Sequence, residues 1–260
     1  MSPILLAIAI VSGIGLVSGV GLAVAAAVMH VPVDGRIERL IEALPGANCG
    51  ACGCAGCEGY AGAVAEGAAV NLCAPGGDAT ARALAEIMGV EAGTVVKRRA
   101  FVRCAGTDEA CETRADYRGE RSCAAARLLY GGQKECAWGC LGFGDCARAC
   151  PSGAISVAQG IALVNQNLCT GCGLCAKACP KGIVALTQIG SAVNRCSSEA
   201  PGAAACAQCA RACLGCGLCA KKCPERAMRV ENHLACADPE TCTGCGLCVS
   251  VCPVGCLVIL

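Results

Sequence analysis

Three stretches of the chain share one pattern, in which three cysteines at short intervals are followed by a fourth placed directly before proline. They are Cys169, Cys172, Cys175 and Cys179 before Pro180; Cys213, Cys216, Cys219 and Cys223 before Pro224; and Cys242, Cys245, Cys248 and Cys252 before Pro253. In this arrangement three neighbouring thiolates grip one [4Fe-4S] cubane while the fourth reaches the adjacent cubane, and the chemistry supported is one-electron transfer. Zinc sites use similar tetrahedral thiolates but have no reason to repeat this spacing. Nor do the 29 cysteines read as a disulfide scaffold, because such scaffolds pair distant residues and these arrive in bursts.

A fourth quartet is irregular. Aligning Cys136-AWG-Cys140-LGFGD-Cys146-ARA-Cys150 on Cys209-ARA-Cys213-LGCGL-Cys219-AKK-Cys223 puts Phe143 where Cys216 stands. A cubane left with three ligands needs a replacement, and Cys136, one helical turn before Cys140, is the nearest candidate. The predicted sets are then Cys136, Cys140 and Cys146 with Cys179, and Cys169, Cys172 and Cys175 with Cys150. The second pair repeats this: Cys213, Cys216 and Cys219 with Cys252, and Cys242, Cys245 and Cys248 with Cys223. Upstream, Cys49, Cys52, Cys57 and Cys73 form a further set, with Cys54 inside the loop and small residues that let the backbone wrap an inorganic core closely. Five [4Fe-4S] clusters follow. A sixth would draw on Cys104, Cys111 and Cys123 with Cys196 or Cys209 as fourth ligand, buried free cysteine being the competing reading of each. Cys206, Cys236 and Cys256 have no assignment, and His30 and His233 read as ordinary surface or interface residues.

The elements that must position these thiols read as an α+β chain in five parts. Residues 1–29 form a single N-terminal transmembrane helix: no charge occurs from Pro3 to Met29, a stretch long enough to cross a bilayer. No basic residue precedes it, so it reads as a retained anchor and not a signal peptide. Gly15 and Gly19, with Gly13 and Gly21, offer a small-residue face to a partner helix. Residues 30–90 form a small four-cysteine iron–sulfur domain. It opens on an amphipathic helix with Ile37, Leu40, Ile41 and Leu44 at helical spacing, and a second helix over 59–69 returns the chain to Cys73. Residues 91–130 connect, with the extra thiols. Residues 131–190 and 205–260 are two tandem double-cluster ferredoxin-like domains, the first with a hairpin of 154–157 and 161–164 around Gln159-Gly160.

Formal net charge is +1 with thiols neutral, and cluster ligation converts thiols to thiolates, so a loaded chain is acidic and nucleic-acid binding is excluded. Arg36 and Arg39 follow the apolar span, which puts the cluster domains on the cytoplasmic side of the inner (cytoplasmic) membrane. No dinucleotide fingerprint occurs, since the clustered glycines lie in the apolar segment and not after a strand.

The order of features resembles the B subunit of the Rnf complex, the membrane-bound ferredoxin:NAD+ oxidoreductase that couples electron transfer to Na+ or H+ translocation. The likeness rests on the single span, the run LPGANCGACGCAGC with NLCAPGG behind it, the segment KECAWGCLGFGDCARACPSGAI and the tandem quartets. It implies a relay that takes electrons from reduced soluble ferredoxin and passes them to other membrane and peripheral subunits of a translocase, those subunits carrying flavins and binding NAD. An iron–sulfur subunit of a membrane hydrogenase or formate dehydrogenase is the alternative, and the Cys49 to Cys73 domain argues against it. Lys177 and Lys181, and Lys221, Lys222 and Arg226, are candidate docking charges for ferredoxin.

Overall fold

The computed structural model describes the backbone of residues 3–28 and 34–260. His30 and the first residues of the segment expected over 30–90 lie outside the described residues. Helix α1 (Pro3–Val28) has 26 residues and no charged side chain. Counted over the residues whose side chains are described, no helix is long and apolar enough to cross a membrane, so the fold alone does not establish the expected crossing.

The next three helices, α2 (Gly35–Ala43), α3 (Gly56–Ala65) and α4 (Gly77–Met88), build the first cysteine unit. The Asp34 carboxylate accepts the Arg36 N–H at 2.9 Å and starts α2. Leu40, Leu44, Tyr60, Val64 and Leu84 form its core with Cys73. Helix α3 is displaced from the expected 59–69, because Ala68 N–H bonds back to the Ala63 carbonyl at 2.9 Å and closes the helix early. Tyr60 straps the returning chain, its hydroxyl donating to Ala69 O at 2.8 Å and accepting Leu72 N–H at 3.1 Å. That strap delivers Cys73 to the other three thiols.

The rest of the chain is one plan used twice. The first copy runs β1 (Arg98–Val102), α5 (Cys123–Leu128), α6 (Asp145–Arg148), β2 (Ile155–Ala158), β3 (Ile161–Val164), α7 (Leu174–Ala178) and β4 (Val184–Gln188). The second runs β5 (Ala192–Asn194), α8 (Gly202–Gln208), α9 (Leu218–Lys222), β6 (Met228–Glu231), β7 (Leu234–Ala237), α10 (Leu247–Ser250) and β8 (Leu257–Ile259). In each copy the strand before the cysteines pairs antiparallel with the strand after them, β1 with β4 (Val102 opposite Val184) and β5 with β8 (Ala192 opposite Ile259). A hairpin sits between the quartets in both, β2 with β3 and β6 with β7. Gln159 and Gly160 have φ of 50° and 71°, the left-handed pair that suits a two-residue hairpin.

These pairings move the expected boundaries. The first unit reaches back from 131 to β1, inside the segment read as a connector, and the second reaches back from 205 to β5. Strands of three to five residues carry too little periodicity to be read locally, and each needs a partner far along the chain.

Loop and strand meet most closely at two equivalent glycines. A Cβ on Gly171 (φ +73°) would lie 2.3 Å from Arg98 O, and one on Gly244 (φ +69°) would lie 2.2 Å from Gly190 O. Alanine at either site should cost about 1–3 kcal/mol in backbone strain with a steric clash added. Gly62, inside α3 with nothing within 4 Å of an added Cβ, should gain about 0.5–1 kcal/mol on the same change. Thermal denaturation of the three variants checks this. An unchanged midpoint for Gly171→Ala would show that the cluster loop does not bear on β1.

Candidate iron–sulfur centres

All 29 cysteines are free thiols. Among the described residues, no three His, Cys, Asp or Glu side chains converge closely enough to hold a single metal ion. The thiols instead ring small, partly open spaces. Cys213, Cys216, Cys219 and Cys252 line a small cavity of about 20 Å³ walled by Leu214, Val254 and Leu257. A space ringed by four thiols suits a polynuclear core better than one ion. Cys256, outside the quartet pattern, also lines it and hydrogen-bonds Cys213, holding the Cys213 thiol down at about 5 while its own is raised.

The first unit has the equivalent cavity, also of about 20 Å³, and its four thiols are Cys140, Cys146, Cys179 and Cys123. Cys136, expected as the fourth, does not line it. Ser122 caps α5 by accepting the Ala125 N–H at 3.1 Å. The Asp145 carboxylate accepts the N–H groups of Cys123 (2.9 Å) and Ala124 (3.0 Å), fastening the start of α5 to the start of α6. Phe143, in the vacated ligand position, packs against Tyr117 in a tilted ring contact with centroids 5.2 Å apart. Burial, with Cys140, Cys179 and Cys123 close by, pushes the Cys146 thiol up to about 12. The Phe143 substitution signalled a missing ligand, but only the tertiary fold shows which distant thiol reaches the gap.

Two of the remaining sequence-predicted sets also come together, and of the last set Cys242, Cys245 and Cys248 do. Burial and the nearby Cys169, Cys172 and Cys150 raise Cys175 to about 11. Backbone N–H groups point at sulfur in this set, Ala154 to Cys150 at 3.3 Å and Ala100 to Cys169 at 3.4 Å. In the second unit the Ala192 N–H reaches Cys242 at 3.4 Å, and burial with Cys242 and Cys245 nearby raises Cys248. Cys223 packs against the same buried cluster as Cys248. In the N-terminal unit, burial with Cys57, Cys49 and Cys52 close by raises Cys73. The Asn48 side chain accepts the Cys57 N–H at 2.8 Å. Lys177 donates to Cys49 O at 2.6 Å, tying this unit to the first dicluster unit. Crowded, desolvated thiols such as Cys73, Cys175 and Cys248 resist ionisation, so they require the positive charge of iron to become ligands.

Cys104, Cys111, Cys136, Cys196 and Cys209 line a separate cavity of about 20 Å³. Cys123, grouped with Cys104, Cys111 and Cys196 on sequence grounds, is absent from it, so Cys123 and Cys136 exchange their expected places. Cys111 and Cys209 hydrogen-bond each other, which lowers Cys111 to about 6 and raises Cys209. Cys206 is exposed and Cys236 half-buried, and neither lines these cavities.

Two tandem units with paired four-thiol centres define a protein of the dicluster ferredoxin class. Residues 136–183 and again 212–256 match the family described as a 4Fe-4S dicluster domain, and residues 44–75 match an Fe-S cluster family. Over 242 residues the chain is 39% identical to the B subunit of the proton-translocating ferredoxin:NAD(+) oxidoreductase complex of Clostridium ljungdahlii, covering 92% of this chain and 85% of that one. Over 171 residues it is 42% identical to the B subunit of the Na(+)-translocating ferredoxin:NAD(+) oxidoreductase complex of Acetobacterium woodii. Over 172 residues it is 41% identical to the B subunit of the ion-translocating oxidoreductase complex of Methanosarcina acetivorans. Each of these two matches takes in 65% of this chain, and they span 51% of the Acetobacterium protein and 65% of the Methanosarcina one. The chain belongs to the family of B subunits of Rnf-type ion-translocating oxidoreductase complexes.

Iron content tests the exchange of Cys123 and Cys136. Cys123→Ala should lose about four irons, and adding Phe143→Cys, which restores the regular spacing, should return them. Full iron in Cys123→Ala would put the fourth thiolate elsewhere.

Proposed function

We propose that this chain is the electron-relay subunit of a membrane-bound ferredoxin:NAD+ oxidoreductase. It takes electrons from reduced ferredoxin and passes them through [4Fe-4S] clusters to other membrane and peripheral subunits, where the flow is coupled to Na+ or H+ translocation. The observation that carries this reading is the pair of equivalent four-thiol cavities, one in each dicluster unit, within one chain that has no dinucleotide fingerprint.

Bound cubanes supply reversible one-electron chemistry without proton or group transfer. The chain's own residues make that chemistry usable. Cys49, Cys52, Cys57 and Cys73 would hold the N-terminal centre. Cys123, Cys140, Cys146 and Cys179 would hold one centre of the first unit, and Cys150, Cys169, Cys172 and Cys175 its neighbour. Cys213, Cys216, Cys219 and Cys252, and Cys223, Cys242, Cys245 and Cys248, do the same in the second unit. Leucine, valine and alanine walls exclude water, and backbone N–H groups aimed at sulfur stabilise the reduced, more negative state.

The anchor reading is supported by the length of α1. Its 26 residues extend about 39 Å at the helical rise, beyond the ~30 Å hydrocarbon core. A single pass through the cytoplasmic membrane, with the cluster domains on the cytoplasmic side, satisfies the charge distribution around it.

Electron entry needs a basic surface, since ferredoxins are acidic as a class and so is the loaded chain. Of the two candidate sets, Lys177 is bonded to Cys49 O and Lys181 donates to Ala137 O, so each is held to the chain's own backbone. Lys221, Lys222 and Arg226 are exposed around Cys223. Charge reversal at Lys221 and Lys222 should slow reduction by ferredoxin roughly ten-fold at low ionic strength and flatten its salt dependence, with iron content unchanged. A rate that holds across ionic strengths would move the entry site away from α9.

A further inference from the structure

The five-thiol cavity between the two dicluster units is not accounted for by the centres above. The two copies of the fold contribute to it in equivalent ways. Cys104 lies two residues after β1, and Cys196 two residues after β5. Arg103 N–H bonds Ile183 O at 2.8 Å, and Arg195 N–H bonds Cys256 O at 2.7 Å. Cys136 stands four residues before Cys140, as Cys209 stands four before Cys213. The Cys140 N–H donates to the Cys104 sulfur at 3.3 Å, and the Cys213 backbone bonds the Cys196 sulfur in the same way. Each copy thus presents one thiol from its strand end and one from the turn before its first cluster ligand.

Two further observations say what the cavity takes. Its lining includes Arg103, Lys134, Arg195 and Arg211 and no carboxylate, whereas the Cys213 cavity has no charged lining residue and the Cys140 cavity has one of each sign. Lys134 is 3% exposed, its ammonium donating to Gly106 O at 2.6 Å and Gly160 O at 3.0 Å with Asp108 at 3.7 Å. Four cationic side chains and no carboxylate around five thiols fit an anionic occupant. Space is kept open by Gly106, where a Cβ would sit 3.2 Å from the Cys209 sulfur and 3.6 Å from the Cys104 sulfur.

We propose that this cavity holds a further [4Fe-4S] cluster, ligated by Cys104 and Cys136 from the first unit and by Cys196 and Cys209 from the second, which joins the two dicluster units electrically. Cys111 is the fifth thiol. The site's neighbours on either side are Cys140 and Cys213, each the first ligand of a flanking centre and each one N–H···S contact away. No bond forms or breaks in its use: one electron enters from one flanking centre, one leaves to the other, and the basic lining offsets the added negative charge. The inference deepens the relay reading, but iron is counted without ferredoxin, so the two can fail separately.

The test is iron and acid-labile sulfide on the full-length chain purified without oxygen. Cys104→Ala and Cys196→Ala should each bind about four fewer irons than the parent, while Cys236→Ala, outside the cavity, should bind the full complement. Because loss of a ligand can unfold its neighbourhood, Lys134→Gln supplies a second readout. It should keep its iron and lower the midpoint potential of a single EPR component. Full iron in Cys104→Ala and Cys196→Ala, or unchanged potentials in Lys134→Gln, would overturn the site. Iron loss in Cys111→Ala but not in Cys209→Ala would overturn the assignment of the fourth ligand.

Discussion

Bonding between cysteine thiolates and iron–sulfur cores is the constraint on which the rest of this structure depends. Only six of 260 residues are aromatic, and the fully buried aromatic among them, Tyr60, serves the N-terminal unit. The two dicluster units have centres made of cysteine, alanine and a few short aliphatic residues. Their sheets are two-stranded, and isolated two-stranded pairs are marginal in water. Pushed to about 12 at Cys146 and about 11 at Cys175, those two thiols favour the neutral form until a cation arrives. Metal binding then supplies folding free energy, because the site hardly exists in the unfolded chain.

Duplication explains how so little hydrophobic material organises so many centres. A strand, two quartets with a hairpin between them and a returning strand close one unit, and the second repeats it with small departures. The principal departure is the insertion between Cys104 and Cys136, which carries α5 and compensates for Phe143. Its Tyr117 covers the phenylalanine, its Ser122 starts α5, and its Cys123 reaches the cavity that Phe143 no longer serves. The same insertion supplies Lys134 and Cys111 to the space between the units.

The regular quartets were legible because their chemistry is local: three thiols on one tight loop must share a metal core, and proline fixes the turn after the fourth. The family, the α+β class and the hairpin at Gln159-Gly160 followed from such short-range signals. What could not be read were the assignments that depend on long separations. Cys136 looked like the spare ligand because it is one turn from Cys140 in sequence, whereas an Asp145 clamp brings Cys123 in from a different helix. Strands β1 and β5 escaped for the same reason, being too short to announce themselves without their partners. Lys177 and Lys181 read as free surface charges in the sequence, and only the fold gives them their backbone acceptors at Cys49 and Ala137.

If thiolate–iron bonding is what holds residues 98–259 in this fold, secondary structure and cluster content cannot be separated. The direct measurement is simultaneous far-ultraviolet circular dichroism and visible iron–sulfur absorbance while a chelator strips the full-length protein without oxygen. The account predicts that the strand and helix signal of the dicluster units decays with the cluster absorbance and at the same rate, leaving the signal of the N-terminal helices α1, α2 and α4. Retention of the full circular dichroism spectrum after all iron has left would contradict it.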